Sequence, residues 1–379
     1  MKNRYITHKD VEELRKEYDP QYMILFSARN DGKSYAAKES VLRRFWEHGE
    51  QFTYLRRQDI DIRRADQSLY WADFIGLDNK VEEITGGEWS EIIADKDGFS
   101  LAKVDEATGK MMKGPLIGYI HALSVAGKAY KSLQFPDVHT IIYEEFVTAE
   151  GYLFNEADRL QQYVSTVFRD RSDVCCIMIG NKITRLNPYF RQWQLNGIFK
   201  MEPGQTDVYD FREPDEETGE ETTTRIIVHE PATAGKVKGG KSMFFGASAG
   251  MIKGHSYDVK DQPRLRDRRR EYDARYEVVV DIGAAGGRFL LTFLQHRIRR
   301  DEVVWYVEPK TSKPQDKTRL IGPDYVPGPY WTKDFTPLSD GERKAFQHLR
   351  YGRIVYSDNL TGTEFKRAMR QLSIPEKED

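Results

Sequence analysis

Two segments of this chain carry the Gly-Lys-Ser triplet that binds nucleotide phosphates in many proteins. The later segment, Gly235 to Ser242, fits the pattern G-x-x-x-x-G-K-[ST] at every position, whereas the earlier one begins at Ser27 and ends in Gly32-Lys33-Ser34. Such a loop holds phosphate with backbone N–H groups and the N-terminus of a helix. The flanking sequence must therefore decide between the two copies.

The earlier copy has the flanks that a phosphate loop needs. The apolar run Gln21–Phe26 precedes it and is typical of a buried strand, and a segment rich in helix formers runs from Ser34 to just before Gly49. The later copy has neither flank, and we interpret it as a Lys- and Gly-rich loop in which Lys241 contacts the phosphates of a polymer. The predicted nucleotide loop consists of Ser27, Ala28, Arg29, Asn30, Asp31, Gly32, Lys33 and Ser34.

A second apolar run, Val138–Tyr143, ends in two carboxylates, Glu144 and Glu145. We expect the first to hold Mg²⁺ beside the Ser34 hydroxyl and the second to orient the attacking water. Phosphoryl transfer needs positioning and charge neutralisation, which these roles supply. The alternative is an ordinary pair of surface acids after a core strand.

Three further residues have types and places that suit the same chemistry. Asn181 follows a predicted strand and would sense the γ-phosphate, or simply cap the strand end. Arg169 would neutralise charge in a neighbouring subunit, unless it is a solvated side chain. Lys131 precedes the Val138 strand by a few residues and would reach the same site.

Clusters of arginine predict local contacts to nucleic acid. The net charge of −2 argues against a generally basic surface, but it leaves room for basic patches. Loop arginines after the second strand, and a denser cluster beyond residue 263, are the candidates. They are Arg56, Arg57, Arg63, Arg64, Arg264, Arg266, Arg268, Arg269 and Arg270, besides Lys241.

The composition is that of a globular protein with more than one domain. Of 379 residues, 39% are hydrophobic and 12% aromatic, which suffices for two or three cores. No run of eighteen apolar residues predicts a membrane span, and the N-terminus lacks the apolar core of a signal peptide. Adjacent Cys175 and Cys176 are predicted to be reduced core residues of an intracellular protein.

Strands and helices alternate from residue 22 to 199, which predicts a parallel sheet covered by helices. We predict an N-terminal domain at 1–204, a connecting region at 205–260 and a small α/β domain at 261–379. The predicted local elements are a β-hairpin within 80–113, a hairpin pairing Val208–Arg212 with Thr224–Val228, C-terminal strands at Tyr276–Ile282, Arg288–Leu294 and Val303–Val307, and helices at 340–350 and 361–373.

The motifs together resemble the DNA encapsidation proteins of small short-tailed phages of the Picovirinae type, which are terminase-like packaging ATPases. The resemblance covers about residues 20–200. It is carried by Ser27–Tyr35, Gly49–Arg57, Thr140–Phe146, Thr166–Arg171 and Asn187–Phe190.

This resemblance implies an ASCE P-loop ATPase domain followed by a linker and a vestigial, RNase H-like nuclease domain. It implies ATP and Mg²⁺ as cofactors, and ATP hydrolysis that drives double-stranded DNA through a portal into a prohead. The implied state is a homo-oligomeric ring, a pentamer, which docks on the prohead in the host cytoplasm without any membrane. A structural packaging RNA is a further implied partner.

Carried over by position, Lys33 and Ser34 form the Walker A site and Glu144 with Glu145 the Walker B pair. The resemblance makes Arg169 a finger acting in trans, and Lys131 matches a lysine near the subunit interface. This chain departs from the family pattern in three places: Ser27 replaces the first loop Gly, Glu144 replaces Asp, and Asp59 replaces a lysine.

Two other functions stay open at this point. An active terminase nuclease would need converging carboxylates, for which Asp281 and Glu308 are candidates near strand ends. A non-hydrolysing scaffold for nucleic acid, with a degenerate phosphate loop, is the third possibility.

Overall fold

The computed structural model divides the chain into two compact units, formed by the described residues of 1–182 with 200–241 and of 183–199 with 242–379. The described residues are 5–27, 31–63, 67–76, 78–130, 133–148, 152–153, 155–169, 171–182, 187–198, 201–214, 221–232, 262–282, 288–310, 317–323 and 328–372.

The first unit is built on a nine-stranded sheet with the order β3-β4-β5-β2-β6-β7-β1-β9-β8. Neighbours from β5 to β9 in this order run parallel, and an antiparallel hairpin completes each edge. The strands are β1 Tyr22–Ser27, β2 Gln51–Arg56, β3 Glu91–Asp95, β4 Gly98–Val104, β5 Met111–Ala122, β6 Val138–Glu144, β7 Cys175–Asn181, β8 Thr206–Pro214 and β9 Glu221–His229.

Helices connect these strands. They are α1 His8–Tyr18, α2 Lys33–His48, α3 Asp59–Arg63, α4 Lys80–Thr85, α5 Ala126–Ala129 and α6 Glu156–Phe168, with 3-10 turns at Gln67–Trp71 and Leu123–Val125. All six residues of β1 are buried, as are the first six of β7, because both strands lie inside a parallel sheet. Cys175 and Cys176 are buried free thiols, as predicted, and burial raises the pKa of Cys175 to about 11.

The strands predicted at Gln21–Phe26 and Val138–Tyr143 are confirmed as β1 and β6, and the hairpin expected within residues 80–113 is preceded by the short helix α4. The predicted pairing of Val208–Arg212 with Thr224–Val228 is also confirmed, with Val208 opposite Ile227. This hairpin extends the sheet, since Ile226–Val228 are buried and pair in parallel with β1. The domain boundaries at 204 and 260 stay predictions.

The second unit contains a six-stranded sheet with the order β14-β13-β10-β11-β12-β15. Its core surrounds Trp305, Phe346 and Phe365. The three predicted long strands and both predicted helices are confirmed, whereas three strands of two or three residues were too short to show periodicity. The elements are α7 Pro188–Gln192, β10 Tyr272–Asp281, β11 Arg288–His296, β12 Val303–Pro309, β13 Leu320–Ile321, β14 Trp331–Thr332, α8 Asp340–Arg350, β15 Ile354–Tyr356 and α9 Asn359–Leu372.

In the part of the chain that the structure describes, no helix combines the length and apolar character that crossing a membrane requires.

Candidate nucleotide-binding site

Strand β1 ends at Ser27 and α2 begins at Lys33, so the predicted nucleotide loop falls between a strand and a helix, as expected from its flanks. Gly32 caps α2 in the left-handed region with φ 84°, a conformation that L side chains rarely adopt. A Cβ at Gly32 would lie 3.1 Å from the Ile6 carbonyl oxygen and 3.2 Å from Tyr5 Cβ. The conformation therefore favours glycine here, and a side chain would in addition crowd the Ile6 carbonyl group. Ala28, Arg29 and Asn30 lie outside the described residues, and Asp31 is buried.

Lys33 is held at the carboxyl edge of the sheet by residues of two adjacent strands. Its ammonium donates to Ser27 Oγ at 3.0 Å and to Asn181 Oδ1 at 3.3 Å. Ser27 and Asn181 are register partners at the ends of β1 and β7. Ser27 belongs to strand β1 and needs no positive φ, so serine is tolerated where the family pattern has glycine. Its hydroxyl group accepts a hydrogen bond from the Lys33 ammonium, which a glycine could not do.

Glu144 ends β6 close to the start of α2. Burial raises the pKa of its carboxyl group, while a hydrogen bond from the Ser34 hydroxyl lowers it. Magnesium prefers oxygen ligands and is usually held by one or two carboxylates together with substrate phosphates. A hydroxyl and a carboxylate that meet beside a phosphate loop therefore fit the predicted Mg²⁺.

Glu145 lies at the exposed rim of this site. Its side chain is 55% exposed and its carboxylate pairs with Arg56 Nη2 at 2.9 Å. Its φ of 54° turns the chain sharply after β6, so that Phe146 N donates to Ile179 O at 3.4 Å. The turn needs a glycine beneath it, because a Cβ at Gly180 would lie 2.5 Å from the Phe146 ring.

The two arginines that follow β2 differ in their surroundings, although both were predicted to contact DNA. Arg56 faces Glu145. Arg57 is only 8% exposed, and its guanidinium binds the buried Glu156 at 2.9 Å and Phe146 O at 2.8 Å. Two buried acceptors hold this side chain, so the structure corrects the prediction for Arg57, which we drop from the proposed DNA contacts.

Two residues that sequence reasoning missed surround Glu144. The Tyr70 hydroxyl donates to Glu144 Oε1 at 3.4 Å, and buried Lys38 donates to the Tyr70 carbonyl at 2.8 Å. Lys38 follows Ser34 by one helical turn, a spacing that could have indicated it. Tyr70 lies in a 3-10 turn without periodicity, and no sequence signal places it near Glu144.

Arg169 lies at the other edge of the sheet. Helix α6 starts after the carboxyl end of β6 and runs back to the amino end of β7, where Arg169 Nη2 donates to Leu133 O at 3.2 Å. A seven-residue strand spans roughly 23 Å, so Arg169 is remote from the phosphate loop of its own chain. Nearby Arg171 donates to four backbone carbonyl groups and is structural: those of Phe135, Pro136, Val167 and Phe168.

The remaining candidates are described only in part. Lys131, Arg64 and Lys241 lie outside the described residues, as does the second Gly-Lys-Ser segment, and the structure describes no side chain for Arg63, Arg266 or Arg268. Arg264 and Arg270 are exposed in the second unit. Arg269 pairs with Glu308 at 3.3 Å and lies over the Tyr306 ring.

The carboxylates considered for a nuclease are each paired with an arginine. Asp281 Oδ2 accepts from Arg288 Nε at 2.5 Å, and the two residues are cross-strand partners of β10 and β11. Glu308 pairs with Arg269. Among the described residues there is no group of three or more His, Cys, Asp or Glu side chains that could hold a metal ion.

Comparison with known proteins supports the resemblance. Residues 99–203 match the family described as Podovirus DNA encapsidation protein (Gp16). The DNA packaging protein of Bacillus phage B103 is 32% identical over 177 residues, and that of Bacillus phage phi29 is 32% identical over 184 residues. Each alignment covers 46% of this chain and 48% of the relative, so the chain spans about half the length of the curated relatives it matches.

The viral genome packaging motor assembly of bacteriophage phi29 has a similar fold. It aligns with a TM-score of 0.50 and 20% identity over 95% of this chain and 98% of that chain. The predicted family resemblance and the predicted α/β fold with a mostly parallel sheet are therefore confirmed.

Proposed function

We propose that this chain, which matches the Podovirus DNA encapsidation family over residues 99–203, is the ATP-driven motor that moves viral double-stranded DNA into a prohead. One observation carries the proposal. Lys33, Ser34, Glu144, Glu145 and Asn181 come from three separate segments, and the parallel sheet collects them at one edge.

Each of these residues has a place that suits one role in ATP hydrolysis. Lys33 and the N-terminus of α2 bind the nucleotide phosphates, and Asn181 positions the lysine ammonium. Ser34 and Glu144 would hold Mg²⁺, which neutralises phosphate charge when bound. Glu145 accepts a hydrogen bond from the attacking water and orients it.

A neighbouring subunit supplies the remaining positive charge in this proposal. Arg169 is exposed at the amino edge of the sheet, remote from its own phosphate loop, so it serves the site of another copy. This geometry favours a ring of identical subunits, for which we propose five members. Lys131, close in sequence to Leu133, is the second residue proposed for that interface.

The proposed partners follow the relatives. Proteins named for DNA packaging, and a packaging motor assembly from phi29, support double-stranded DNA and the prohead portal as partners and the host cytoplasm as the place of action. A packaging RNA is a further proposed partner. In the second unit the arginines bonded to Asp281 and Glu308 support a non-catalytic role, with Arg264, Arg269 and Arg270 as nucleic-acid contacts.

Complementation between two inactive variants tests the trans arrangement. Lys33→Ala removes the phosphate lysine and Arg169→Ala removes the finger, so each protein alone should hydrolyse ATP poorly in the presence of prohead and DNA. In a 1:1 mixture, about a quarter of the interfaces pair an intact loop with an intact finger, and hydrolysis should partly recover. If rings assemble normally but no activity returns, Arg169 does not act in trans.

A wild-type protein without ATPase activity in any assembly state would instead favour the nucleic-acid scaffold. Mn²⁺-dependent DNA nicking that survives Lys33→Ala but disappears in Asp281→Ala would favour the nuclease.

A further inference from the structure

We propose that Tyr70 is a positioning residue for Glu144, and that Lys38 fixes Tyr70 to the phosphate-loop helix. The proposal rests on the proposed ATPase function and deepens it, because it explains how a glutamate serves at a position where the family pattern has aspartate. Tyr70 and Lys38 would act through Glu144 rather than on the nucleotide.

A glutamate at this position needs additional support. Its side chain has one more rotatable bond than that of aspartate, so more conformational freedom must be lost before the carboxylate can stay beside a cation. A metal-binding carboxylate is generally held by hydrogen bonds from surrounding residues. The Ser34 side chain, in the first turn of α2, lies close to Glu144 and lowers the pKa of its carboxyl group.

Tyr70 supplies such a hydrogen bond from another segment. Its hydroxyl lies 3.4 Å from Glu144 Oε1, a long hydrogen bond. Its ring is fixed by aromatic neighbours, with centroids 4.2 Å from Tyr54 and 5.8 Å from Phe99. The carboxylate of Glu144 is thus bound by a hydroxyl group of the 3-10 turn at Gln67–Trp71, and the Ser34 side chain of α2 lies close to it.

Lys38 connects this 3-10 turn to α2. The side chain is 4% exposed, and its ammonium donates to the Tyr70 carbonyl at 2.8 Å and pairs with Asp73. The same ammonium lies 4.9 Å from the centroid of the Tyr70 ring. A buried lysine is costly unless its donors are satisfied, and here its acceptors all come from the segment that carries Tyr70. The helix that begins at the phosphate loop therefore also places the Tyr70 hydroxyl.

A purely structural role for Tyr70 is the alternative. The ring packs in an aromatic cluster with Tyr54, Trp71 and Phe99, and phenylalanine would fill the same volume. The two roles differ in one respect: only positioning depends on the length of the side chain at residue 144. An aspartate carboxylate would end one methylene short of the Tyr70 hydroxyl.

A double-mutant cycle on metal affinity separates the two roles. Wild type, Tyr70→Phe, Glu144→Asp and the double variant are titrated with Mn²⁺ in the presence of saturating ATPγS, with bound metal followed by electron paramagnetic resonance. Tyr70→Phe should weaken Mn²⁺ binding by about tenfold when Glu144 is present. It should change the affinity little in the Glu144→Asp background, and binding of a fluorescent ADP without metal should be unaffected in all four proteins.

Tyr209→Phe is the matched control. Its hydroxyl also lies 3.4 Å from a carboxylate, that of Asp207, but in the hairpin of β8 and β9. This variant should leave Mn²⁺ affinity unchanged. Thermal unfolding of each variant confirms that the fold is retained.

Three outcomes would overturn the proposal. Unchanged Mn²⁺ affinity in Tyr70→Phe removes the positioning role, and equal losses with glutamate and aspartate at residue 144 assign Tyr70 to packing. If the wild-type protein binds neither the fluorescent ADP nor Mn²⁺–ATPγS, the proposed ATPase function is overturned as well. Nucleotide binding by wild type therefore distinguishes failure of the Tyr70 proposal from failure of the proposed function.

Discussion

Both sheets of this protein carry acidic residues at strand ends, but different kinds of side chain contact these acids in the two sheets. In the first sheet, Glu144 accepts a hydrogen bond from the Tyr70 hydroxyl, and the Ser34 side chain lies close to the same carboxylate. In the second sheet, Asp281 is bonded by its cross-strand partner Arg288. A hydroxyl orients a carboxylate and leaves its charge available to a cation, whereas a guanidinium neutralises that charge. The partner, rather than the position of the acid, distinguishes the two sites.

The largest expected effect comes from replacing an acid by the corresponding amide in each sheet, at Glu145 in the first and at Asp281 in the second. Glu145→Gln should lower ATP hydrolysis by about 10²-fold or more, because the attacking water loses its acceptor. Asp281→Asn should leave hydrolysis near the wild-type rate. Steady-state ATPase assays with DNA and prohead measure both variants. Equal losses would contradict the separation of the two sheets by function.

The next effect concerns the buried ion pair between Arg57 and Glu156. Arg57→Ala should destabilise the first unit by about 3–5 kcal/mol, because it leaves Glu156 buried and without its cation. The matched variant Arg56→Ala breaks an exposed pair and should cost at most about 1 kcal/mol. Urea unfolding with hydrogen exchange resolved by residue would show whether the loss of stability is confined to the first unit. Similar losses in the free energy of unfolding for the two variants would contradict the claim that burial of Arg57 causes the larger cost.

Acid should also destabilise the first unit. Burial lowers the pKa of His121 to about 4, and its ring contacts the Tyr163 hydroxyl at 2.7 Å. In the unfolded chain His121 binds a proton near pH 6.5, whereas in the folded protein it stays neutral until the pH is near 4. The contribution of neutral His121 to the free energy of unfolding is therefore complete above pH 6.5 and is lost as the pH falls toward 4. The expected loss is about 3 kcal/mol at most. Comparing the pH dependence of unfolding for wild type and His121→Gln measures it, and an unchanged slope would exclude His121 as the cause.

A smaller effect than those of Arg57 and His121 comes from one methyl group. Gly180→Ala places a Cβ against Phe146 and should cost about 1–3 kcal/mol, while it displaces the turn that carries Glu145 and slows hydrolysis. Gly127→Ala is the control, because a Cβ there meets nothing within 4 Å and alanine favours the helix α5. Thermal unfolding and ATPase assays of both variants test this contrast. A Gly180→Ala protein with normal activity would show that the turn adapts.

Much of the first unit was predictable from local pattern. The apolar run before Ser27, the helix formers after Ser34 and the apolar run before Glu144 each correspond to an observed element. The hairpin of β8 and β9 was predicted by its alternation, but not its place beside β1. Pairing between strands that are distant in sequence leaves no local signal, so the sequence could not place the strand at residues 221–229 beside β1.

Arg56 and Arg57, at the end of β2, also show that local sequence does not predict contacts with distant segments. Adjacent residues at a strand end point in opposite directions, so one guanidinium reaches Glu145 and the other reaches Glu156. Nothing in the sequence Arg-Arg indicates which of the two side chains is exposed and which is buried. Only the packing of α6 against the sheet determined that Arg57 would be buried.

By itself, the sequence determined the strand, the glycine turn and the helix around the predicted nucleotide loop, because neighbouring residues specify these elements. Tertiary structure alone decided which side chains meet there. Lys33 reaches Asn181 because β7 lies beside β1, and Tyr70 reaches Glu144 because Lys38 holds a separate segment against α2. These contacts depend on strand order and burial, which arise only when the whole sheet is assembled.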